Sequence, residues 1–329
     1  MGFFVLDTLL PARYPNTMFL AINNFQLRVT AMNPQLSSGL SRRRFLQAGA
    51  VATVGLAGLA NPSALLYADK KNGEGFGGFT LGVQSYCFRN FDTEPALKRT
   101  QDLGLHYIEF YQKHAPADAS ADQIQALLKL CRDYEITPVC YGVQDFSNNH
   151  DANKKIFEYG KALGVKTMSA NPTPDSFDSL DKLCDEYKIA IAIHPHGPIG
   201  GGKLHRWYSA EVIMAAVKDH HELIGACLDT GHLIRCAQEP FNKKLDPAEQ
   251  IRIMGARNFG IHLKDHDNKA DTDVVFGKGV LDVPAVLKAL KDVKFKGHIS
   301  IEYEAHPEDP SPDMKACVDV FKEAVKTLT

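Results

Sequence analysis

The chain has 329 residues, of which 44% are hydrophobic and 23% are charged, and its formal net charge is −2. A chain of this length and composition can bury a sizeable core, which argues against a disordered or fibrous protein. Because basic residues are not in excess, nothing in the charge balance indicates binding to nucleic acid or to an anionic membrane.

The N-terminal region carries a pattern typical of an export signal. Residues 41–47 read Ser-Arg-Arg-Arg-Phe-Leu-Gln and resemble the twin-arginine motif, and a mildly apolar run follows from Ala48 to Ala60. This run is too short and too rich in glycine to span a membrane stably. We therefore expect 41–75 to be a twin-arginine signal with its linker, recognised by the twin-arginine export machinery. The mature protein would be periplasmic or otherwise exported, with no membrane attachment after processing.

Residues 1–40 precede this signal and have mixed polarity, without a helix or strand pattern. Met32 begins a short polar lead into Ser41, which predicts that Met32 is the true start and that the residues before it are a mis-assigned extension. We therefore assign 1–40 to an N-terminal extension and expect the fold to begin after residue 75.

From residue 76 onward, short apolar runs alternate with amphipathic segments. The predicted strands are 79–85, 106–111, 136–142, 165–170, 189–194, 224–229, 258–263 and 298–303. The predicted helices lie near 94–103, 121–134, 151–163, 176–187, 209–220, 247–256, 284–292 and 312–327. Eight strand–helix repeats over about 250 residues are typical of a (β/α)₈ TIM barrel, an α/β fold. We therefore predict a single barrel domain over 76–329.

Four consecutive predicted strands each end on a side chain that can bind a metal. They read Ile191-Ala-Ile-His194, Ala226-Cys-Leu-Asp229, Phe259-Gly-Ile-His262 and Ile299-Ser-Ile-Glu302. Each of these polar residues alone would more often have a structural role, so the argument depends on their conjunction. Parallel barrels carry their active sites at the ends where the strands emerge. The sequence therefore predicts a divalent metal site formed by His194, Asp229, His262 and Glu302.

The predicted barrel resembles the xylose-isomerase-like TIM-barrel family of sugar isomerases and epimerases over about 79–325. The segments that carry the resemblance are Leu81-Gly-Val-Gln-Ser-Tyr86, Leu228-Asp-Thr-Gly-His232, Ile261-His-Leu-Lys-Asp265, Gly277-Lys-Gly-Val-Leu-Asp282 and Ile301-Glu-Tyr-Glu304. Members bind a divalent cation through strands five to eight, and Asp229, His262 and Glu302 match three ligand positions. His194 stands where many members have glutamate, in a His-x-His-Gly run that resembles a variant branch. The resemblance implies Mn²⁺, and the mixed ligands leave Co²⁺, Fe²⁺ and Zn²⁺ as alternatives.

This departure at the fourth ligand changes the expected acid–base chemistry. In the family's two-glutamate enzymes, paired carboxylates move a proton between the faces of the substrate, whereas a metal-bound imidazole has no free lone pair. Glu302 would therefore carry out one of the two proton transfers, and another group in the mouth would carry out the second. The candidate catalytic residues are Glu302, His196, Lys264 and Glu109, with His232 as a further choice.

Several side chains share the faces that point into the predicted mouth, because alternate residues of a strand point the same way. The candidate substrate-binding residues are His232, Trp207, Gln84 and Glu304. Trp207 could stack on a sugar ring, but packing of this loop aromatic against the barrel explains its presence equally well.

The resemblance implies a divalent-metal-dependent sugar isomerase or epimerase, in which a base removes the proton beside a carbonyl and an enediolate forms. Export favours an unphosphorylated keto- or hydroxy-carbonyl sugar, since sugar phosphates are mainly cytoplasmic. Two alternatives stay open: a lyase or hydratase of a keto-sugar or keto-glycoside, and a non-catalytic sugar-binding barrel. An endonuclease is disfavoured, because the charge balance indicates no basic face. The expected partner is a small carbohydrate and no nucleic acid.

Overall fold

The chain is described by a computed structural model over residues 75–328, so the predicted export signal and N-terminal extension lie outside the described residues. Eight parallel strands form the barrel: β1 Thr80–Gln84, β2 Tyr107–Phe110, β3 Thr137–Phe146, β4 Thr167–Pro172, β5 Ala190–Ile193, β6 Ile224–Asp229, β7 Asn258–Leu263 and β8 His298–Ile301. Each strand pairs with its neighbours in chain order, and β8 closes the barrel against β1. The predicted (β/α)₈ TIM barrel in a single domain is confirmed.

Helices surround the barrel and connect its strands. They are α1 Thr93–Asp102, α2 Ala121–Asp133, α3 His150–Leu163, α4 Phe177–Tyr187, α5 Ala210–Val217, α6 Thr230–Arg235, α7 Pro247–Met254, α8 Val283–Asp292 and α9 Ser311–Lys326. Helix α6 was not predicted, because its six residues are too few to show a helical period. Between residues 75 and 328, no helix is both long and apolar enough to cross a membrane.

Helix starts follow from local capping chemistry. The Ser120 hydroxyl accepts a hydrogen bond from the Gln123 N–H at 3.3 Å, and the Gln123 side chain accepts one from the Ser120 N–H at 2.8 Å. This reciprocal pair satisfies two N–H groups that the first turn of α2 leaves unpaired. The Asp246 side chain caps α7 by accepting a hydrogen bond from the Ala248 N–H. Pro247 occupies the first helical position, where its lack of an N–H costs nothing.

The two-residue period of the strands separates an apolar outer face from a partly polar interior. In β8, Ile299 and Ile301 belong to the apolar core that the helices cover. Ser300 lies between them and instead donates a hydrogen bond, across the barrel, to Glu109 of β2. His298 reaches the same carboxylate. The barrel interior beneath the strand ends is therefore filled by a hydrogen-bonded layer and not only by aliphatic side chains.

Two antiparallel hairpins follow barrel strands at the end where the predicted site lies. One pairs Pro198–Ile199 with Lys203–Leu204 after β5, and the other pairs Asp265–Asp267 with Thr272–Val274 after β7. In the first, Gly201 and Gly202 have φ angles of +77° and +66°, which glycine adopts without steric cost. The glycine run before Lys203 is therefore a hairpin turn.

The Asp265 side chain anchors the loop that precedes α8. Its Oδ2 accepts hydrogen bonds from the N–H groups of Gly277 and Gly279 at 2.8 and 3.0 Å. Its Oδ1 accepts from Val280 and Leu281, each at 3.0 Å, and from its neighbour in sequence. Asp265 thus joins the segment that follows β7 to the loop that begins at Gly277. Its buried carboxylate accepts the hydrogen bonds that the loop N–H groups would otherwise make to water.

An Asp265→Ala substitution should lower the free energy of unfolding by about 3 kcal/mol, because these buried N–H groups would lose a charged acceptor. Urea denaturation followed by circular dichroism measures the loss. Asp282→Ala is the control on the same loop, since Asp282 only caps α8 and its removal should cost about 1 kcal/mol. Equal losses in the two variants would contradict the anchoring role.

Candidate functional site

The four predicted metal ligands lie side by side at the ends of β5 to β8. Nε2 of His194 is 2.9 Å from Nδ1 of His262, and that Nδ1 is 2.7 Å from Oε2 of Glu302. Nε2 of His194 is also 3.5 Å from Oδ2 of Asp229. The ligand atoms of all four residues lie within 4.8 Å of one another, and all four side chains are buried. The structure therefore brings together every residue of the predicted metal set.

The chemistry of this cluster fits a divalent cation. Oδ2 of Asp229 and Oε2 of Glu302 are buried and have no hydrogen-bond partner among residues 75–328. Buried carboxylate oxygens that accept no hydrogen bond are costly even with a basic side chain nearby, and a cation between them would offset that cost. Bonds of about 2.1 Å to one cation place neighbouring ligand atoms about 3.0–3.4 Å apart, and the separations of 2.7, 2.9 and 3.5 Å lie within a few tenths of an ångström of that range.

The His262 ring would have to lose a proton before it could bind a cation through Nδ1. Burial lowers its pKa, but Cys227, Glu109 and Glu302 outweigh burial and hold the pKa of His262 well above the ordinary value. A proton and a cation therefore compete for the ring, since a metal ligand must carry a free lone pair. Cation binding is expected to release this proton.

Asp229 has two separate tasks. It ends β6, and its Oδ1 accepts a hydrogen bond of 2.7 Å from the His232 N–H, which caps α6. The other oxygen, Oδ2, faces His194 and the cation cluster. The cap holds the carboxylate in one orientation, so the position of this predicted ligand is coupled to the start of the helix that carries His232.

Glu109 lies beneath the cluster and not in the mouth, so its position disagrees with the predicted catalytic role. Its Oε2 lies 2.9 Å from Nε2 of His262 and 3.2 Å from Nε2 of His298, and its Oε1 accepts from the Ser169 hydroxyl. Burial raises the pKa of Glu109, but His262 and His298 outweigh burial and lower it well below the ordinary value. An ionised carboxylate here orients the His262 ring so that Nδ1 faces the cluster.

Lys264 also lies outside the mouth, which disagrees with its predicted catalytic role. Its side chain is 2% exposed, and Nζ is 2.5 Å from Oε1 of Glu304, 3.4 Å from Oδ2 of Asp229 and 3.6 Å from Oε1 of Glu302. Burial lowers the pKa of Lys264, but these carboxylates together raise it well above the ordinary value. The ammonium therefore stays charged and offsets the negative charge of the cluster, with no free lone pair for a substrate proton.

The sequence Asp-Thr-Gly-His at 229–232 is explained by its contacts with Lys264. The Thr230 hydroxyl donates to the Lys264 carbonyl at 2.7 Å and accepts from the Lys264 N–H at 2.9 Å. A Cβ atom at Gly231 would lie only 2.6 Å from Cδ of Lys264, so glycine is needed for the lysine stem to pass. The two motifs are therefore one packed unit behind the metal ligands.

A cavity of about 380 Å³ opens above the cluster. Its lining residues are Gln84, Tyr86, Tyr111, Gln112, Gly142, Val143, His194, His196, His232, Arg235, Glu302 and Glu304. The predicted residues Gln84, His196, His232 and Glu304 thus share the cavity with two of the proposed ligands. The side chain of Glu304 is 39% exposed, so it can meet a substrate while it pairs with Lys264.

Two predicted substrate-binding residues have structural contacts instead. Trp207 is 3% exposed, donates a hydrogen bond of 2.9 Å from its indole N–H to the Pro172 carbonyl, and packs on Phe177. A buried ring cannot stack on a substrate, so Trp207 belongs to the barrel wall. Gln84 lines the cavity, but its amide is engaged by the Tyr86 N–H and the Gly142 carbonyl, which leaves little of it for a ligand.

Imidazole rings of His194, His196 and His232 line part of the cavity. His196 lies 4.7 Å from His194 and 4.8 Å from both His232 and His205, measured between ring centroids. Burial, and then the charges of His194 and His205, lower the pKa of His196 to about 3. Burial also lowers the pKa of His232 well below the ordinary value. Both rings are therefore neutral near pH 7, so each can donate one hydrogen bond and accept another.

The cavity is also lined by Tyr86 and Tyr111, which the strand period places in the mouth, and by Val143 and Arg235, which no sequence pattern indicated. Tyr86 and Val143 are 36% and 38% exposed, and the Tyr86 ring is supported by an edge-to-face contact with Tyr111 at 5.3 Å. Arg235 ends α6 and lies beside His232. Arg235 lies beyond the Asp-Thr-Gly-His segment, on a helix too short to show a period, so the sequence did not indicate it.

Comparisons with known proteins agree with this architecture. An uncharacterised protein from Parabacteroides distasonis ATCC 8503 is 26% identical, with a TM-score of 0.56 over 74% of this chain and 97% of that chain. A D-tagatose 3-epimerase-like protein has 18% identity, a TM-score of 0.60 and coverage of 76% and 98%. An L-ribulose 3-epimerase has 16% identity, a TM-score of 0.59 and coverage of 76% and 95%.

No curated protein sequence matches the chain. At 18% and 16% identity, the epimerase-like protein and the L-ribulose 3-epimerase are related to this chain by fold alone. The sequence model of one family matches residues 97–324, which is more than half of the chain. The protein therefore belongs to the family described as the xylose isomerase-like TIM barrel.

Proposed function

We propose that this protein is a divalent-metal-dependent isomerase or epimerase of an unphosphorylated keto- or hydroxy-carbonyl sugar. The observation that carries the proposal is the convergence of His194, Asp229, His262 and Glu302 beneath a cavity of about 380 Å³. A cavity of this size lies at the small end of the range for ligand pockets, which suits a sugar. The fold shared with a D-tagatose 3-epimerase-like protein and an L-ribulose 3-epimerase supports the same class of chemistry.

The cation would be held by His194, Asp229, His262 and Glu302, and we propose Mn²⁺, with Co²⁺, Fe²⁺ and Zn²⁺ as alternatives. When bound, it supplies a Lewis acid that polarises a carbonyl oxygen. Lys264 and Glu109 support this site without touching the substrate: the first offsets the carboxylate charge, and the second orients His262.

Proton transfer is assigned to side chains that come from different strands. Glu302 follows β8, and His196 follows β5, so a carboxylate and an imidazole reach the cavity from separate directions. Glu302 removes the proton beside the carbonyl, and His196 moves a proton between the two oxygens of the enediolate. Return of the proton to the neighbouring carbon gives isomerisation, and return to the other face gives epimerisation. His232 and Glu304 hold sugar hydroxyl groups.

A lyase or hydratase of a keto-sugar or keto-glycoside is the second candidate, and the apolar wall of the cavity favours it. Tyr86 and Val143 present exposed apolar surface beside the polar residues. Such a surface suits a second ring attached to the reacting sugar, because aromatic side chains pack on the apolar faces of rings. After the proton beside the carbonyl is removed, the electron pair would expel the substituent on the β-carbon.

Incubation of the metal-loaded protein with ketoses and keto-glycosides in heavy water separates the candidates. An isomerase or epimerase incorporates deuterium without other change in the atoms of the substrate. A lyase releases the substituent and produces the absorbance of a conjugated carbonyl. A non-catalytic sugar-binding barrel binds without deuterium incorporation. Turnover that survives complete removal of the cation by a chelator would contradict the proposed metal dependence.

We also propose that the protein is exported by the twin-arginine route, on the basis of residues 41–60. Fusion of residues 1–75 to a passenger protein tests this directly. Replacement of Arg42 and Arg43 by lysine should abolish export of the passenger, and export that is unchanged by this replacement would contradict the assignment.

A Tyr86→Ala substitution should raise KM for the sugar about 5-fold and leave kcat nearly unchanged. The ring offers a stacking surface worth about 1 kcal/mol, and it is not one of the proposed ligands or proton-transfer groups. Steady-state kinetics measure both parameters. Ile199→Ala is the control, because Ile199 is 43% exposed but does not line the cavity. If KM changes equally in both variants, the stacking role is wrong.

A further inference from the structure

Arg235 and His232 lie one helical turn apart on α6, and both line the cavity. Nη1 of Arg235 is 3.3 Å from Nδ1 of His232. A guanidinium group only donates hydrogen bonds, so Nδ1 of His232 must carry a lone pair. A neutral imidazole that accepts through Nδ1 carries its proton on Nε2, which makes Nε2–H the donor of this ring.

The backbone around His232 is held firmly. Oδ1 of Asp229 accepts a 2.7 Å hydrogen bond from the His232 N–H. On the other side, the segment that carries His196 packs against α6 at Gly197, where a Cβ atom would lie 2.8 Å from the His232 carbonyl oxygen and 3.1 Å from Cβ of Arg235. The backbone position of His232 is therefore fixed on both sides, and the Arg235 guanidinium is the hydrogen-bond partner of the ring at Nδ1.

We propose that Arg235 is a positioning residue, which holds His232 in the neutral Nε2–H tautomer so that the ring donates a hydrogen bond to a substrate oxygen. The chemical consequence rests on the proposed sugar isomerase or epimerase activity. A neutral imidazole donor stabilises an oxygen on which negative charge develops, and it keeps its own proton while doing so.

A direct role for Arg235 as a binder of an anionic substrate group is less consistent with its surroundings. Its Nε is 4.0 Å from Oδ1 of Asp271, so a carboxylate already faces that edge of the guanidinium. A second anion there would be repelled by Asp271. The arrangement therefore suits an uncharged sugar, whose oxygens meet His232 while Arg235 stays behind the ring.

Nitrogen-15 NMR of the full chain, labelled on histidine and loaded with diamagnetic Zn²⁺, reads the tautomer without any activity assay. The His232 signals are assigned from their loss in a His232→Gln variant. We expect a protonated Nε2 and an unprotonated Nδ1 in the wild type and in Arg235→Lys, whose ammonium also only donates. Arg235→Met should give a mixture of tautomers, whereas Arg206→Met, at an exposed arginine that does not line the cavity, should change nothing.

Kinetics then separate this inference from the proposed function. Arg235→Met should lower kcat about 10- to 100-fold at unchanged metal content, and Arg235→Lys should recover most of the loss. A protonated Nδ1 in the wild type, or a loss of kcat in Arg235→Met without a change of tautomer, overturns the positioning role. The expected tautomers in a protein that converts no sugar would support the Arg235 assignment and refute the proposed activity alone.

Discussion

Replacement of Asp229 by asparagine should remove the bound cation and lower kcat by about 10³-fold. Oδ2 of Asp229 is a buried oxygen without a hydrogen-bond partner in residues 75–328, and it faces the other proposed ligands. Asparagine can still accept the hydrogen bond that caps α6, but it lacks the negative charge that a divalent cation requires. Loss of a Lewis acid worth about 4 kcal/mol corresponds to the predicted loss of rate.

Metal analysis of the purified variant and steady-state kinetics with added Mn²⁺ measure this effect. A thermodynamic readout is independent of the substrate: Mn²⁺ at 100 times its Kd should raise the free energy of unfolding of the wild type by about 2.7 kcal/mol, and should not stabilise Asp229→Asn. Asp282→Asn is the matched control, because it alters an exposed cap of α8 in the same way. Normal metal content and full turnover in Asp229→Asn would refute the site.

The cluster of predicted metal ligands could be located from the sequence because it depends on two simple rules. An apolar run that ends in a polar residue marks where a buried strand emerges, and successive parallel strands emerge at the same end of a barrel. His194, Asp229, His262 and Glu302 each satisfy both conditions, so their convergence followed from topology alone. The closed barrel of β1 to β8 was predictable for the same reason.

The residues around the cluster could not be placed in this way. The two-residue period of a strand indicates that Glu109 faces the barrel interior, but not how far along the barrel axis it lies. A difference of one layer of side chains separates a group in the mouth from one beneath His262, where Glu109 lies. Lys264 shares a face with His262, yet the carboxylates that surround its ammonium come from other strands. Trp207 lies in a loop, where burial depends on tertiary contacts with Pro172 and Phe177.

A Glu109→Gln substitution should weaken cation binding by about 10- to 100-fold and lower the free energy of unfolding by about 3 kcal/mol. Glu109 is fully buried, and its carboxylate meets His262, His298, Ser169 and Ser300. An amide cannot accept at both of its ends, so at least one buried donor would lose its partner. The His262 ring would also lose the group that turns Nδ1 toward the cation, and partners of this kind typically contribute that much to metal affinity.

Titration with Mn²⁺ and urea denaturation of the metal-free protein measure the two effects separately. Glu211→Gln is the control, because the Glu211 carboxylate is solvent-exposed on α5 and its replacement should change stability by less than about 0.5 kcal/mol. The decisive observation is kcat at saturating Mn²⁺. A residue that only orients His262 is dispensable once the cation is bound, so kcat should recover to within a few-fold of the wild type. A large loss of kcat with normal cation affinity would instead make Glu109 a proton-transfer group, and the substrate would then have to reach the layer beneath His262.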